Sequence, residues 1–190
     1  MEAIPNIDGH PNGSPNRSSH SKAPLDLFRR RYVNRLWQTD SGPQEGVGRG
    51  QVLDLLAQAG LLVPKGIVLS KEAHREFLDQ SGLLEDLRAH PDSGEDPAPR
   101  VLRICLSHRS SMIKGELNRA ICDALIGLGS PSVAVASEES TTRHLKSIPE
   151  VKDAIKEAWL SLEGLKRQLE AASRGLEIPT WPVLILAEEG

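Results

Sequence analysis

Aromatic residues are scarce in this chain: three Trp, two Phe and one Tyr make up 3% of its 190 residues. Cysteine is scarcer still, with only Cys105 and Cys122. Neither belongs to a CxxC pair or to a Cys/His spacing that holds zinc, which excludes a disulfide framework and a structural zinc site. No apolar run approaches the roughly 20 residues needed to span a bilayer. The opening segment MEAIPNIDGHPNGSPNRSSHSKAP lacks the apolar stretch of a secretory leader, so a cytoplasmic location is expected. An excess of one charge is also missing: 23 Lys and Arg stand against 26 Asp and Glu, a net of −3. That balance excludes a general nucleic-acid or polyanion binder. The length suits one domain with a real core and excludes a large multidomain enzyme.

Along the chain, residues 1–24 are rich in Asn, Pro, Ser, Gly and His. They hold too little apolar surface to offset their ordering entropy, so a disordered arm is expected, with His10 and His20 solvated. In 25–46, the run LDLFRRRYVNRLW places Leu25, Phe28, Tyr32, Val33, Leu36 and Trp37 at helical spacing. Arg29, Arg30, Arg31 and Arg35 lie opposite. The spacing predicts an amphipathic helix over 25–37, either a plain surface helix or one that docks on a partner, a membrane surface or phosphates. A linker follows to residue 46.

Residues 47–190 read as the ordered unit. Val52, Leu53, Leu55, Leu56 and Ala59 mark a helix that Gly60 ends. Val63-Pro64-Lys65-Gly66 is a turn, and Ile67-Val68-Leu69 a short buried strand. Ser70 caps a helix through residue 80, and Leu83–His90 forms another. HPDSGEDPAPR reads as a loop. Residues 100–109 suit strand or helix, with Val101, Leu102, Cys105 and Leu106 favouring helix. Ile113, Leu117, Ile121, Leu125 and Leu128 define a helix ended by Gly129. Ser132–Ala136 is a buried strand, and the polar stretch SEESTTRHLKS follows it. One long helix is expected near 150–172, with Val151, Ile155, Trp159, Leu162 and Leu169 inward. The last strand is Pro182–Leu186. Strands alternate with helices, so the class is α/β or α+β, with helices packed on a small sheet.

Few residues carry chemistry by pattern alone. Gly48-Arg49-Gly50 opens a helix, where exposed N–H groups and the helix dipole favour an anion and Arg49 adds a cation. The run is neither a Walker A loop nor G-x-G-x-x-G, and a plain turn has the same spelling. Ser137, Glu138 and Glu139 follow a buried strand, a usual place for functional groups in α/β proteins. Neighbouring residues there point apart, so solvated acids are expected. His108 beside Ser107, Ser110 and Ser111 has no nucleophile signature. Cys105, Cys122, Trp159 and Trp181 sit on apolar stripes and read as core.

The order of segments resembles the nucleotide-binding domain of the phosphoenolpyruvate synthase / pyruvate phosphate dikinase family over roughly 46–190. Gly48-Arg49-Gly50 with Leu53, Leu56 and Gly60 resembles the family's G-G-K-G-x-x-L and the helix after it. Val63-Pro64-Lys65-Gly66-Ile67-Val68-Leu69 resembles its V-P-x-G turn and strand, and Ala73-His74-Arg75-Glu76-Phe77-Leu78 its A-Y-x-x-F helix. Ser132–Ser137 sits where the family has V-A-V-R-S-S. Ala154-Ile155, Trp159 and Ser161 are similar to its I-x-x-x-W-x-S-L helix, and Pro182–Leu186 to its V-x-V-Q strand.

The resemblance implies the first lobe of an ATP-grasp fold that binds ATP, with Mg2+ entering only with the nucleotide. Gly48, Arg49, Gly50 and Ser137 are its implied nucleotide-binding residues, with no catalytic residue and no separate metal site assigned. Departures weaken the implied chemistry. The family lysine maps to Arg49, whose planar fork differs from an ammonium. The family arginine maps to Ala136, and its second serine to Glu138, which would repel triphosphate. The final glutamine is replaced at about Leu186, and the lid is shortened to residues 139–147. The sequence to Gly190 has no second lobe, no T-x-G-G-x-x-x-H motif and no pyruvate-binding barrel. Weak or absent phosphotransfer by the chain alone is therefore expected. A separate chain supplying the second lobe or the phosphohistidine domain is the implied partner. The alternative is a non-catalytic interaction module that keeps the fold and has lost the nucleotide site, and a third reading is a truncated gene product.

Overall fold

In the computed structural model, which describes residues 31–36, 48–89 and 97–188, five strands are seen among those residues: β1 (Val33–Arg35), β2 (Gly66–Leu69), β3 (Ser132–Ala136), β4 (Thr141–Leu145) and β5 (Val183–Glu188), and alternation along the apolar β2, β3 and β5 sets the architecture. The five form one sheet in the order β1-β2-β5-β3-β4, antiparallel at every pairing. Side chains point to opposite faces in turn. Ile67, Leu69, Val133, Val135, Val183 and Ile185 therefore share one face and enter the main core. Val68, Ala136 and Leu184 share the other and form a small second cluster with Leu36. The class is the expected mixture of helices on a small sheet, with antiparallel strands throughout.

Among the described residues the helices are α1 (Gly48–Gln58), α2 (Lys71–Gln80), α3 (Leu83–Arg88), α4 (Pro97–Ser110), α5 (Gly115–Leu128), α6 (Ile148–Trp159) and α7 (Leu162–Ser173). Helices α2 to α7 all contribute buried side chains to the main core. Helix α1 instead meets the second cluster through Leu53. It ends as expected: Gly60 has φ +82°, Leu61 N–H donates to Leu56 O at 3.0 Å, and Gly60 N–H donates to Ala57 O at 3.0 Å. Those two bonds satisfy carbonyls the helix leaves orphaned. Ser70 caps α2 by accepting from Ala73 N–H at 3.2 Å, and Gly129 closes α5 at φ +65°.

Several expectations are corrected. Residues 33–35, expected in the basic helix, are strand β1, pairing Val33 with Leu69 and Arg35 with Ile67. Tyr32, Val33 and Leu36 are spaced for a helix, and hydrogen bonds with the distant strand β2 override that spacing. The loop expected over 90–100 gives way to α4 at Pro97. Proline is accepted there because a first-turn residue has no helical acceptor for an N–H. The polar stretch after β3 contains β4, an edge strand that needs one partner and faces water. The single long helix is two. Ser161 accepts from Gly164 N–H at 2.9 Å and starts α7 anew, and Leu160 leaves helical geometry at ψ 78°. Leu162, expected inward, is exposed at that new start. Arg31 and Tyr32, just before β1, are helical as expected, whereas the arm 1–24, residues 25–30 and residues 37–46 lie outside the described residues.

Candidate functional site

Gly48, Arg49 and Gly50 form the first turn of α1. The first N–H groups of any helix have no acceptor within it. Leu53, one turn further on, packs against a cluster that includes Ala136, the last residue of β3. The structure thus brings α1 and the end of β3 to the same face of the sheet, away from the main helix layer.

Ser137 follows Ala136 and closes a tight β3–β4 turn. Its N–H donates to Ser140 O at 2.8 Å. Its Oγ accepts from Ser140 N–H at 3.1 Å and Glu139 N–H at 3.3 Å, and lies 3.1 Å from Ser140 Oγ. The hydroxyl oxygen is thus engaged as an acceptor, and only its own proton remains to donate. Glu138 and Glu139 are exposed at the turn. Ala136 is buried and apolar.

At the other end of β4, His144 adopts φ +60° beside an irregularity in the β3–β4 register. Its N–H donates to Glu188 Oε2 at 2.7 Å, and its Nδ1 lies 3.4 Å from the same oxygen. The carboxylate of β5 thus anchors a left-handed residue that lacks the freedom of glycine.

On the opposite face Trp159 and Trp181, expected in the core, join a cluster of rings that no pattern assembled and whose centre is His74. His74 of α2 stacks on Trp159 of α6 and meets Trp181 edge-on, with centroids 4.8 Å apart. Phe77 lies between Trp159 and His108 of α4. His74 Nδ1 accepts the backbone N–H of Trp181 at 3.2 Å, which fixes a neutral imidazole protonated at Nε2. Burial, reinforced by His108, drives the His74 pKa well below the ordinary histidine value. Burial first, then Lys156 and Arg109, lowers that of His108 to about 4. Among the described residues, His74 Nε2, Trp159 Nε1 and both His108 nitrogens have no hydrogen-bond partner. The signal for His74 was its place on the stripe with Phe77 and Leu78, and for His108 its place one turn beyond Ile104. His108 is buried in the core. Trp159 is fully buried, Trp181 half-buried, and Cys105 and Cys122 are free and half-buried.

Among the described residues no group of three or more His, Cys, Asp or Glu side chains is placed to hold a metal ion. No helix there is long and apolar enough to cross a membrane.

The fold and the glycine-led helix on its second face define a mixed helix-and-sheet module. The sequence matches no protein-family profile. It is similar to the phosphoenolpyruvate synthase of Pseudomonas aeruginosa (strain UCBPP-PA14), at 29% identity over 131 residues. The match covers 65% of this chain and spans only 16% of the length of that relative.

Proposed function

We propose that the chain is a dikinase-type nucleotide-binding module that meets MgATP phosphates at the first turn of α1. It transfers phosphate weakly or not at all by itself. The observation that carries this reading is the glycine-led α1 on the second sheet face of a chain similar to phosphoenolpyruvate synthase. Gly48 and Gly50 lack a Cβ, so a phosphate can approach the backbone N–H groups, and Arg49 contributes the cation. Ser137 contributes one hydroxyl proton. Mg2+ enters with the nucleotide. The fit is partial: Ala136 offers no charge, and Ser137 is partly spent on its own turn. Phosphoryl transfer depends on positioning and charge stabilisation, so a separate chain supplying a second lobe or a phosphohistidine domain is the implied partner, in the cytoplasm.

Isothermal titration with MgATP tests this. Binding is expected in the range of roughly 0.1–1 mM, weakened by Arg49→Ala. No heat and no thermal shift at millimolar MgATP would overturn the reading.

A second reading, a non-catalytic interaction module, is favoured by the apolar surface of α1 and the turn after it. Val52, Leu55, Leu61 and Leu62 are all exposed. Under this reading Leu55→Asp abolishes capture of a protein partner and MgATP gives no heat.

A further inference from the structure

Helix α4 is the least anchored long helix of the main layer. Of its 14 residues only Ile104 and His108 are buried, with Val101 and Cys105 partly buried beside them. Helix α5, also of 14 residues, buries Leu117, Ala120, Ile121 and Ala124, and the 12-residue α6 buries five. Segments with few buried contacts open first. At its start α4 is tied to α3, where Arg100 donates to the carbonyls of Asp86 and Leu87 at 3.1 and 2.9 Å. At its end it is tied to α6: Arg109 pairs with Glu157 at 3.0 Å, and the Lys156 ammonium donates to the Arg109 carbonyl at 2.9 Å. The Arg109–Glu157 pair is exposed, and exposed pairs add little. The hold of the core on this end therefore rests largely on one imidazole.

That imidazole cannot accommodate a proton where it lies. Both His108 nitrogens are buried without a hydrogen-bond partner among the described residues. The charged and titratable groups that act on it are His74 of α2, Lys156 of α6 and Arg109 of α4, all basic. Asp153 and Glu157, the α6 acids paired with those two cations, are spent on them. An imidazolium formed in place would gain no hydrogen bond and would face like charge, whereas one carried into water is hydrated. Burial, then Lys156 and Arg109, holds the docked ring at about 4, and a released histidine takes the ordinary value of about 6.5. The released form binds more protons between these limits, so falling pH favours release.

We propose that α4 is an acid-released flap: a proton on His108 frees that end of the helix from the core while the other helices stay docked. Arg100, bonded to α3, is the pivot. The ring of His108 packs edge-on against Phe77, centroids 4.9 Å apart, and Phe77 in turn packs on Trp159. Release uncovers these two rings. The device is independent of the nucleotide reading, whose residues lie on α1 and the β3–β4 turn.

Two thiols report the test. Cys105 of α4 and Cys122 of α5 are both free and half-buried. The full chain carrying Cys122→Ser or Cys105→Ser is labelled with dithiodipyridine, a disulfide that reacts with thiols in acid. The ratio of the two rates cancels the pH dependence of the reagent. The ratio of Cys105 to Cys122 should rise by up to about twentyfold from pH 7 to pH 5, as the docked and released histidine values require. It should stay level in His108→Phe, and in His108→Gln, a second variant should the first fail to fold by circular dichroism. His74 is intact in both, so release driven by His74 would leave the rise in place. The proposal is overturned by a ratio that does not rise in the chain with His108, by equal acceleration at both cysteines, which is opening of the whole core, or by a rise that survives in a folded His108 variant.

Discussion

The imidazole of His74 lies face to face with the indole of Trp159, ring centroids 5.1 Å apart and planes 6° from parallel. The pair joins α2 to α6 at the centre of the helix layer. Burial, reinforced by His108, holds the ring neutral, and its Nδ1 accepts the backbone N–H of Trp181. His108 closes the same cluster from α4 through Phe77.

Acid should therefore loosen this protein. Both histidines have folded pKa values below the unfolded value of about 6.5, so the unfolded chain binds more protons between those limits. Stability is fully present above pH 6.5 and is lost as the pH falls toward 4. His108 accounts for about 3 kcal/mol of that loss. Denaturant melts from pH 7.5 to 4 should show the decline. A His108→Phe variant should flatten it, and an equal slope in that variant would refute this assignment.

Gly66→Ala should destabilise the sheet by about 1–3 kcal/mol. A Cβ there would stand 2.7 Å from Leu36 Cδ1, 2.8 Å from Leu186 Cδ2 and 2.9 Å from the Ile185 carbonyl oxygen. The first two contacts are side chains that can shift, and the third is backbone that cannot. Adding Leu36→Val should recover only part of the loss in urea melts.

Gly164→Ala should push the Trp181 ring off its seat, since a Cβ would overlap that ring. Trp181 packs edge-on against His74, so the effect reaches the cluster. A change in tryptophan emission with a lower melting temperature is expected, and unchanged emission would count against the contact.

Ser137→Ala separates two roles of one hydroxyl. Loss of the bonds from Glu139 and Ser140 N–H should cost roughly 1 kcal/mol. If Ser137 also donates to a phosphate, titration with MgATP should show weaker binding measured well below the melting transition. A stability loss with unchanged heat would leave it a turn residue alone.

Much of the fold was legible because it is written locally. The Ser70 cap, the Gly60 and Gly129 stops and the Ile113–Leu128 stripe depend on residues within a turn or two of one another. Strand β3 appears at the expected Ser132–Ala136, bounded by turn residues at both ends. The candidate site was legible only as a resemblance. Gly48-Arg49-Gly50 does open a helix, yet no local pattern revealed that Ser137 would accept two N–H groups of its own turn.

The sequence by itself determined which segments become helices with one apolar side, where serine starts them and where glycine stops them. Hydrogen bonding and side-chain spacing within a few residues suffice for that. Tertiary structure alone decided the rest. Residues 33–35 are a strand because β2 offers them backbone partners more than 30 positions away. Polar 141–145 is a strand because β3 has an edge to fill. The last strand, β5, lies between β2 and β3, so the centre of the sheet is supplied by the far end of the described chain. His74 and His108 lose their protons to a core assembled from α2, α4, α6 and the approach to β5. Burial is a property of the assembled layers, and no single segment carries it.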